Sequence, residues 1–322
     1  MLKNTDESRT DNQNPKVIYR HTQEYKYCSQ AEILNSGVVK KLNHDVSFNL
    51  TGVYLFEAFQ KTGKLIADKL GCQSKKYPLL LPVETLEKTN YLAKFSHQCI
   101  FCNEAAADEI PSPSASLANL RDVPHHLAQY VLSPSACYHM YPDYENSVLE
   151  DSLKVSFEQN VCRNEGEIKE EDSFGRLKSY NVREIVFIGE AEFVRQQLHQ
   201  AEELIKEQFI ELGLSFELSR AMDSFVFTQA KILERLQLLH DLKHEFRVHL
   251  DKGRSIAVAS VNFHDQSFTK AFNISKKNVK QLVSGCVGIG IERMTLAYLA
   301  QFGVNSEHWS KGIRDMCDEF IQ

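Results

Sequence analysis

The sequence contains no apolar run long enough to cross a membrane. A membrane-spanning helix needs about 20 mostly apolar residues in succession, and no stretch of the 322 residues approaches that length. Residues 1–16 are polar and charged, and they lack the apolar segment of a secretory signal. We therefore expect a cytoplasmic protein that does not bind membranes. Its 43% content of hydrophobic residues is ordinary for a globular enzyme.

The cysteines give no sign of a disulfide framework. The chain has eight cysteines, spread thinly rather than in the dense pattern of small secreted domains. Cys99 and Cys102 form a CxxC pair, but the sequence has no second CxxC. A single CxxC in a predicted loop is too weak a pattern to indicate a metal or redox site.

The chain also lacks a strongly basic region. Its formal net charge is −6, and no long stretch of lysine and arginine appears. A protein that grips a nucleic acid needs a basic face to replace the condensed counterions. The composition therefore argues against a nucleic acid as the main partner.

Apolar periodicity predicts a mixed architecture of helices and strands. Helices are expected over residues 51–70, 190–212, 229–244 and 294–301. Two antiparallel strands are expected over residues 155–163 and 179–188, joined by an acidic loop at 165–172. Shorter strands or extended segments are expected over residues 77–82, 130–141, 256–263, 271–274 and 284–290, and a loop over 105–122. Because strands and helices do not alternate regularly, we predict an α+β fold, with an antiparallel sheet flanked by helices.

The segment over residues 284–293 is the most informative part of the chain. A strand of small residues runs directly into a helix, and Arg293 lies on the first helical turn. The glycines allow a ligand to approach the backbone closely. The planar guanidinium of Arg293 can stack on a nucleotide base and can bind phosphate.

Three residues far apart in the sequence have the chemistry of a catalytic zinc site. Cys137, Glu184 and Cys286 each lie on a predicted strand segment. Two thiolates and one carboxylate supply three ligands and leave a fourth position open, as catalytic zinc requires. The alternative is that the cysteines are small buried residues without a chemical role.

The segment over residues 162–189 resembles motif 2 of the class II aminoacyl-tRNA synthetase catalytic domain, and the segment over 284–293 resembles motif 3. The helix over 51–70 and the extended segment after it resemble motif 1, which forms the dimer interface in that class. Within the class, the chain resembles the amino acid:[carrier protein] ligases, homologues of the catalytic core of the methanogen-type seryl-tRNA synthetases. The matching stretches are ACY at 136–138, RNE at 163–165, SYNVRE at 179–184, LK at 242–243, ASVNFH at 259–264 and CVGIGIER at 286–293.

The resemblance implies a domain organisation and a set of metal ligands. It implies a polar N-terminal tail or extension over residues 1–45 and a class II synthetase-like catalytic domain over 46–322, with a helical insertion around 190–245. It also implies that Cys137, Glu184 and Cys286 bind Zn²⁺, which would hold the amino group of a substrate amino acid. His264 lies in a matching stretch, but a histidine after a strand is more often structural, so we do not predict it as a ligand.

The resemblance also implies how ATP and Mg²⁺ are used. Arg163 would bind the α-phosphate, with Arg176 as a further phosphate ligand, and Glu165 would accept from the adenine amino group. Tyr180 and Arg293 would stack on the two faces of the adenine. One departure concerns Mg²⁺, because residues 256–258 are apolar where class II sites often carry a carboxylate.

The expected activity is ATP-dependent activation of a small amino acid, glycine or alanine, to an aminoacyl-adenylate. The acyl group would then pass to the phosphopantetheine thiol of a carrier protein. The expected assembly is a homodimer, and tRNA is not an expected partner. The alternatives are an aminoacyl-tRNA synthetase of the seryl type and a non-catalytic synthetase-like binding module. For carrier docking we expect a basic face on the helix 229–244, which carries Lys231, Arg235 and Lys243, with Ile232, Leu236 and Leu239 facing the core.

Overall fold

A large antiparallel sheet organises the protein. A computed structural model describes residues 16–106, 125–166, 174–223 and 230–320. Its main sheet has eight strands in the order β1-β11-β12-β13-β15-β10-β9-β4, and only the β4–β9 pair is parallel. The strands of the chain are β1 (Val17–His21), β2 (Val39–Leu42), β3 (Asp45–Phe48), β4 (Gln73–Ser74), β5 (Leu80–Pro82), β6 (Ile100–Cys102), β7 (Tyr130–Leu132), β8 (Val148–Leu149), β9 (Leu153–Cys162), β10 (Ser179–Gly189), β11 (Phe216–Arg220), β12 (Lys243–His249), β13 (Ser255–Asp265), β14 (Ser275–Lys276) and β15 (Val283–Gly290).

Helices cover one face of this sheet. The α-helices are α1 (Gln30–Asn35), α2 (Leu50–Lys69), α3 (Val83–Lys88), α4 (Tyr91–Phe95), α5 (Ala191–Glu211), α6 (Ala230–Leu239), α7 (Ser267–Ala271), α8 (Ile291–Phe302) and α9 (Lys311–Asp318). Short 3-10 helices occupy Ser96–Gln98, Ala136–His139, Tyr141–Tyr144 and Ser306–His308. The long helices α2, α5 and α8 contact strands β10, β13 and β15, where the apolar residues of both layers are fully buried. Within the described residues, none of these helices combines the length and the apolar character needed to cross a membrane.

Gly285 on β15 shows how closely α5 approaches the sheet. A Cβ atom at this position would lie 2.8 Å from Leu198 Cδ1, 3.0 Å from Val194 Cγ1 and 2.9 Å from the carbonyl oxygen of Asn262. The two apolar contacts come from α5, and the third comes from the backbone of the neighbouring strand. The absence of a side chain at Gly285 therefore allows the helix to lie directly on the sheet.

We expect Gly285→Ala to lower the free energy of unfolding by about 1–3 kcal/mol, the usual cost of overpacking a core. Denaturant unfolding followed by circular dichroism measures this change. Gly312→Ala is the matched control, because no atom lies within 4 Å of a Cβ at that helical position. If the two variants were equally stable, the close approach of α5 to β15 would be wrong.

Most of the predicted elements are confirmed. The helix predicted over 51–70 corresponds to α2, the helix over 190–212 to α5, and the strand–helix segment over 284–301 to β15 and α8. The antiparallel pair is β9 and β10. Gly71 and Gly213 follow α2 and α5 with φ of 72° and 76°, the left-handed conformation that ends a helix.

Two predicted elements are shorter than expected, and a third is not a strand. The strand predicted over 130–141 stops at Leu132, because Pro134 has no N–H to donate and the Ser133 hydroxyl donates to the Ser135 carbonyl oxygen at 2.7 Å. Of the strand predicted over 271–274, Ala271 is the last residue of α7, and the chain then turns through Asn273 at φ 49°. The helix predicted over 229–244 ends at Leu239, and Asp241 at φ 54° reverses the chain into β12.

Several predicted segments lie wholly or mainly outside the described residues. They are the tail at 1–16, the loop at 105–122 and the acidic loop at 165–172. Within the predicted extension over 1–45, β1 pairs with β11 at one edge of the main sheet. Within the predicted insertion around 190–245, α5 packs against the central strands. The domain boundaries themselves stay a prediction.

Candidate active site

The strand register collects polar side chains on the face of the sheet opposite α5. Residues directly opposite each other in antiparallel strands share a face. Glu184 on β10 is opposite Gly288 on β15, which is opposite Ser260 on β13. Cys286 is likewise opposite Asn262. The same register also assigns Tyr180 on β10 and Lys243 and Glu245 on β12 to this face.

Tyr180 and Arg293 contact each other at one end of this face. The guanidinium carbon of Arg293 lies 4.5 Å from the centroid of the Tyr180 ring, a cation–π distance. A Cβ at Gly290 would be 3.6 Å from both the Arg293 Cδ and the Tyr180 ring, so this glycine contacts both side chains. The Arg293 Nε is buried and has no hydrogen-bond partner within the described part of the chain. The structure thus brings together the two residues predicted to stack on adenine.

A buried carboxylate fixes the backbone next to both of these residues. Glu292 accepts hydrogen bonds from the Asn181 backbone N–H at 2.7 Å and from the Asn181 Nδ2 at 2.9 Å. Asn181 follows Tyr180, and Glu292 precedes Arg293. The start of α8 is therefore held against β10 at the point where the two stacking residues meet.

Arg163, Glu165 and Arg176 lie around the loop that joins β9 and β10. The Arg163 Nε donates to the carbonyl oxygen of Pro134 at 2.7 Å, which orients the guanidinium. The pKa of Arg163 is raised, above all by the nearby Tyr180 and against the opposing effect of burial. Glu165 forms an ion pair with Arg176 at 3.0 Å. Their predicted roles in binding ATP stay predictions, and binding of ATP through both would require this pair to open.

The two cysteines predicted to bind a metal lie side by side. Cys286 is on β15, and Cys137 lies in the 3-10 helix Ala136–His139, not on the strand that the sequence predicted. His264 completes the group, since one donor atom from each of the three residues lies within 4.8 Å of the other two. This histidine was not among the predicted ligands. Its sequence signals are its place in the stretch ASVNFH at 259–264 and its position two residues after Asn262 on β13.

Glu184 borders this group, but its carboxylate does not belong to the set of three donors. The carboxylate is buried, and it is hydrogen-bonded to Cys286. Its Oε2 would lie 3.0 Å from a Cβ at Gly288, so the missing side chain there leaves room for the carboxylate. The role of Glu184 as a metal ligand stays a prediction.

The electrostatics of the group favour a bound cation. Burial, followed by the nearby Cys137, raises the pKa of Glu184 well above its ordinary value. The hydrogen bond between the two cysteines raises the pKa of Cys286 and lowers that of Cys137. Several acidic groups thus share one buried space. Since a divalent cation would relieve their mutual repulsion and since thiolates and imidazole suit zinc, the donor set fits such an ion.

A second charged cluster lies further along the same face. Lys243 Nζ is 2.6 Å from Asp223 Oδ1 and 3.3 Å from Glu245 Oε1. Burial favours the neutral form of Asp223, but the Lys243 ammonium outweighs this effect and lowers the pKa of Asp223. Glu245 was not among the predicted site residues, because the helix predicted over 229–244 included Lys243. The apolar residues Phe246 and Val248, separated by the polar Arg247, are the strand signal in this segment.

The chain belongs to the family described as the tRNA synthetase class II core domain (G, H, P, S and T), which it matches over residues 124–302. This match covers more than half of the chain and confirms the predicted class. The chain is also similar to individual proteins of two kinds, serine–tRNA ligases and an amino acid–[acyl-carrier-protein] ligase. A type-2 serine–tRNA ligase of Methanocaldococcus jannaschii is 26% identical over 263 residues, which are 76% of this chain and 50% of the relative.

Amino acid–[acyl-carrier-protein] ligase 1 of Bradyrhizobium diazoefficiens is also 26% identical, over 294 residues. These are 86% of this chain and 87% of that ligase. The chain therefore spans about half the length of the type-2 serine–tRNA ligases that it matches and most of the length of this carrier-protein ligase.

Solved structures show the same fold. The serine–tRNA ligase of Methanopyrus kandleri, in complex with the tRNASec of A. aeolicus, superposes with a TM-score of 0.80 at 21% identity. That superposition covers 95% of this chain and 64% of the other. The prolyl-tRNA synthetase of Giardia lamblia, in complex with prolyl-adenylate, superposes with a TM-score of 0.64 at 17% identity over 83% of this chain and 51% of the other. The predicted fold class, an α+β domain with an antiparallel sheet flanked by helices, is confirmed.

Proposed function

We propose that the protein uses ATP to activate a small amino acid, glycine or alanine, and transfers the aminoacyl group to the phosphopantetheine thiol of a carrier protein. The observation that carries this proposal is the single polar face that combines the Tyr180–Arg293 contact with the buried Cys137–Cys286 pair. The first can bind a nucleotide base, and the second can hold a metal. Glu184 lies beside the metal position, on the same face.

The chain's own residues would orient the two reactants. Arg163, held by the Pro134 carbonyl, would bind the α-phosphate, where negative charge increases as the amino-acid carboxylate attacks. Tyr180 and Arg293, which contact each other at 4.5 Å, would have to separate to hold the adenine between them. A zinc ion at Cys137, Glu184 and Cys286 would bind the substrate amino group and favour substrates with a free amine.

The magnesium ion that class II synthetases use with ATP needs a carboxylate that residues 256–258 do not supply. Glu245 on β12 is opposite Ser260 on β13 and lies on the same face of the sheet. It is paired with Lys243 at 3.3 Å and with Arg247 at 3.2 Å. We infer that Glu245 is the residue that would hold Mg²⁺, with ATP phosphates replacing its partners as neighbours.

One relative supports a carrier protein as the acceptor. Amino acid–[acyl-carrier-protein] ligase 1 of Bradyrhizobium diazoefficiens aligns with 86% of this chain at 26% identity. The net charge of −6 also disfavours a surface that binds a polyanion. The competing candidate is aminoacylation of a tRNA, because serine–tRNA ligases are also relatives at the same identity.

Two assays test the proposal in sequence. Amino-acid-dependent ATP–pyrophosphate exchange across the twenty amino acids should show activity with glycine or alanine. Radiolabelled amino acid should then be transferred to a carrier protein with its phosphopantetheine arm, and not to the same carrier without the arm or to total tRNA. Charging of tRNA would support the competing candidate. Absence of exchange with every amino acid would indicate a non-catalytic binding module.

The docking face predicted on α6 needs revision. Ile232 and Leu239 do not face the core, since they are 57% and 77% exposed. Lys243 is not on this helix, because it lies on β12 and is paired with Asp223. The side chains of Arg235 and Leu236 lie outside the description. Exposed apolar residues next to an exposed Lys231 still suit a partner with an acidic and partly apolar surface.

We expect the double variant Lys231→Glu and Ile232→Asp to slow aminoacyl transfer to the carrier about tenfold, as loss of one strong interface contact does. Adenylate formation should not change, because α6 lies outside the predicted ATP site. Rates of carrier loading and of pyrophosphate exchange measure the two steps separately. Lys311→Glu, on the exposed start of α9, is the control for an added negative charge. Unchanged transfer in the double variant at low salt would place the docking surface elsewhere.

A further inference from the structure

We propose that Asp45 is a positioning residue of the nucleotide site, because it holds the start of β10 next to Tyr180. The inference rests on the proposed function, since it concerns the residue expected to stack on the adenine of ATP. Asp45 Oδ1 accepts a hydrogen bond from the Ser179 backbone N–H at 2.8 Å. Asp45 is the first residue of β3, so a residue far from the ATP-binding motifs in sequence reaches the edge of the site.

The start of β10 has a neighbouring strand on one side only. β9 pairs with β10 from Ser179 onwards, whereas the pairing with β15 begins at Val182, opposite Gly290. The N–H groups of Ser179 and Asn181 point to the same side, because backbone directions alternate along a strand. Both donate to side-chain carboxylates rather than to β9, so they lie on the side where none of the described strands pairs with this part of β10.

Two carboxylates take the place of the missing strand. Asp45 accepts from the N–H of Ser179, and Glu292 accepts from the N–H of Asn181, the residues on either side of Tyr180. The carboxylates are close enough to interact, since burial raises the pKa of Glu292 and Asp45 adds to this effect. A backbone N–H that is shielded from water and loses its acceptor destabilises the conformation that shields it. Without Asp45 we therefore expect the start of β10, and the Tyr180 ring with it, to lose its fixed position.

The β2–β3 hairpin makes a second contact with the same segment. The Lys178 N–H donates to the carbonyl oxygen of His44, the residue before Asp45, at 3.4 Å. The Lys178 carbonyl oxygen in turn accepts from the Arg163 N–H at 2.8 Å. The hairpin thus supports the chain beside both Tyr180 and Arg163, which are predicted to bind the adenine and the α-phosphate.

Equilibrium dialysis with ATP and Mg²⁺ tests the inference on the full chain. Asp45→Ala should weaken ATP binding about tenfold, whereas Asp45→Asn, which keeps an acceptor oxygen in place, should stay within about threefold of wild type. Hydrogen exchange, measured by mass spectrometry, should become faster in Asp45→Ala in peptides that cover residues 178–182. In pyrophosphate exchange, the KM for ATP should rise about tenfold while kcat changes less than about threefold, because a binding contact is lost.

Asp251→Ala is the matched control. Asp251 Oδ1 also accepts backbone N–H groups, those of Gly253 and Arg254, both at 2.8 Å, but it lies in the turn between β12 and β13. This variant should bind ATP as wild type does. If Asp45→Ala does not fold, Asp45→Glu replaces it. The longer side chain displaces the carboxylate by one methylene and should weaken ATP binding at least about threefold.

The outcomes separate this inference from the proposed function. ATP binding by Asp45→Ala within about twofold of wild type, or equal losses in Asp45→Ala and Asp45→Asn, would overturn the role of Asp45 and leave amino-acid activation in place. Weaker ATP binding in Asp45→Ala alone, combined with no exchange for any amino acid, would support Asp45 and contradict the proposed function. A wild-type protein that binds no ATP would contradict both.

Discussion

Arg293→Ala should lower amino-acid-dependent ATP–pyrophosphate exchange by about 100-fold or more, a loss of roughly 3 kcal/mol of transition-state stabilisation, as for other preorganised electrostatic donors. One guanidinium is expected both to stack on the adenine and to balance phosphate charge, so the variant would lose both interactions. Arg293 already contacts the Tyr180 ring at 4.5 Å, and its buried Nε has no partner among the described residues. These features indicate a side chain positioned for a ligand.

Two further variants separate stacking, charge and stability. Arg293→Lys keeps the positive charge but not the planar group, so it should recover only part of the lost exchange. Arg20→Ala is the control, because Arg20 is a surface arginine whose side chain is 57% exposed and paired with Glu217. Circular dichroism and thermal unfolding should show that the fold persists in all three. Exchange in Arg293→Ala within about tenfold of wild type would contradict the role assigned to this residue.

Local sequence patterns predicted the long helices and strands, because the periodicity of their apolar residues and their end signals can be read along the chain. Helices α2 and α5 were predictable because each has a buried stripe and a glycine stop with positive φ. Strands β9 and β10 were predictable because β9 alternates apolar and polar residues over 153–158 and β10 contains an apolar run over 185–188. The segment 130–141 was not, because its apolar content suggested a strand, whereas the Ser133–Ser135 turn and the 3-10 helix after it depend on local hydrogen bonds.

The candidate site was predictable only in part, since it is assembled by strand register. Pairing of β13 with β15 places His264 near Cys286, and the 3-10 helix Ala136–His139 places Cys137 beside them. Sequence spacing alone gives no register between β13 and β15, so it could not show that His264 lies beside the two cysteines. The position of Glu245 could not be predicted for the same reason. Only the pairing of β12 with β13 shows that Glu245 lies on the same face of the sheet as Ser260.

The metal content of Cys286→Ala is the prediction with the next largest expected effect. We expect the purified wild-type protein to contain about one zinc per chain, bound through Cys137 and Cys286. Removing one thiolate takes away the ligand that β15 supplies, so zinc should fall below about one tenth of the wild-type amount. Amino-acid activation should fall with it. Elemental analysis of the dialysed protein measures the metal directly.

The other cysteines provide the controls for this loss. Cys317 is also buried, but it lies on α9 and outside the three-donor group, so Cys317→Ala should keep its zinc. The double variant Cys99→Ser and Cys102→Ser tests the rival CxxC pair and should keep it as well. Cys286→Ala with wild-type zinc would show that the metal, if any, is bound elsewhere. Loss of zinc in Cys286→Ala but not in Cys317→Ala would indicate a site on the polar face of the sheet, because both cysteines are buried and both substitutions remove a buried side chain.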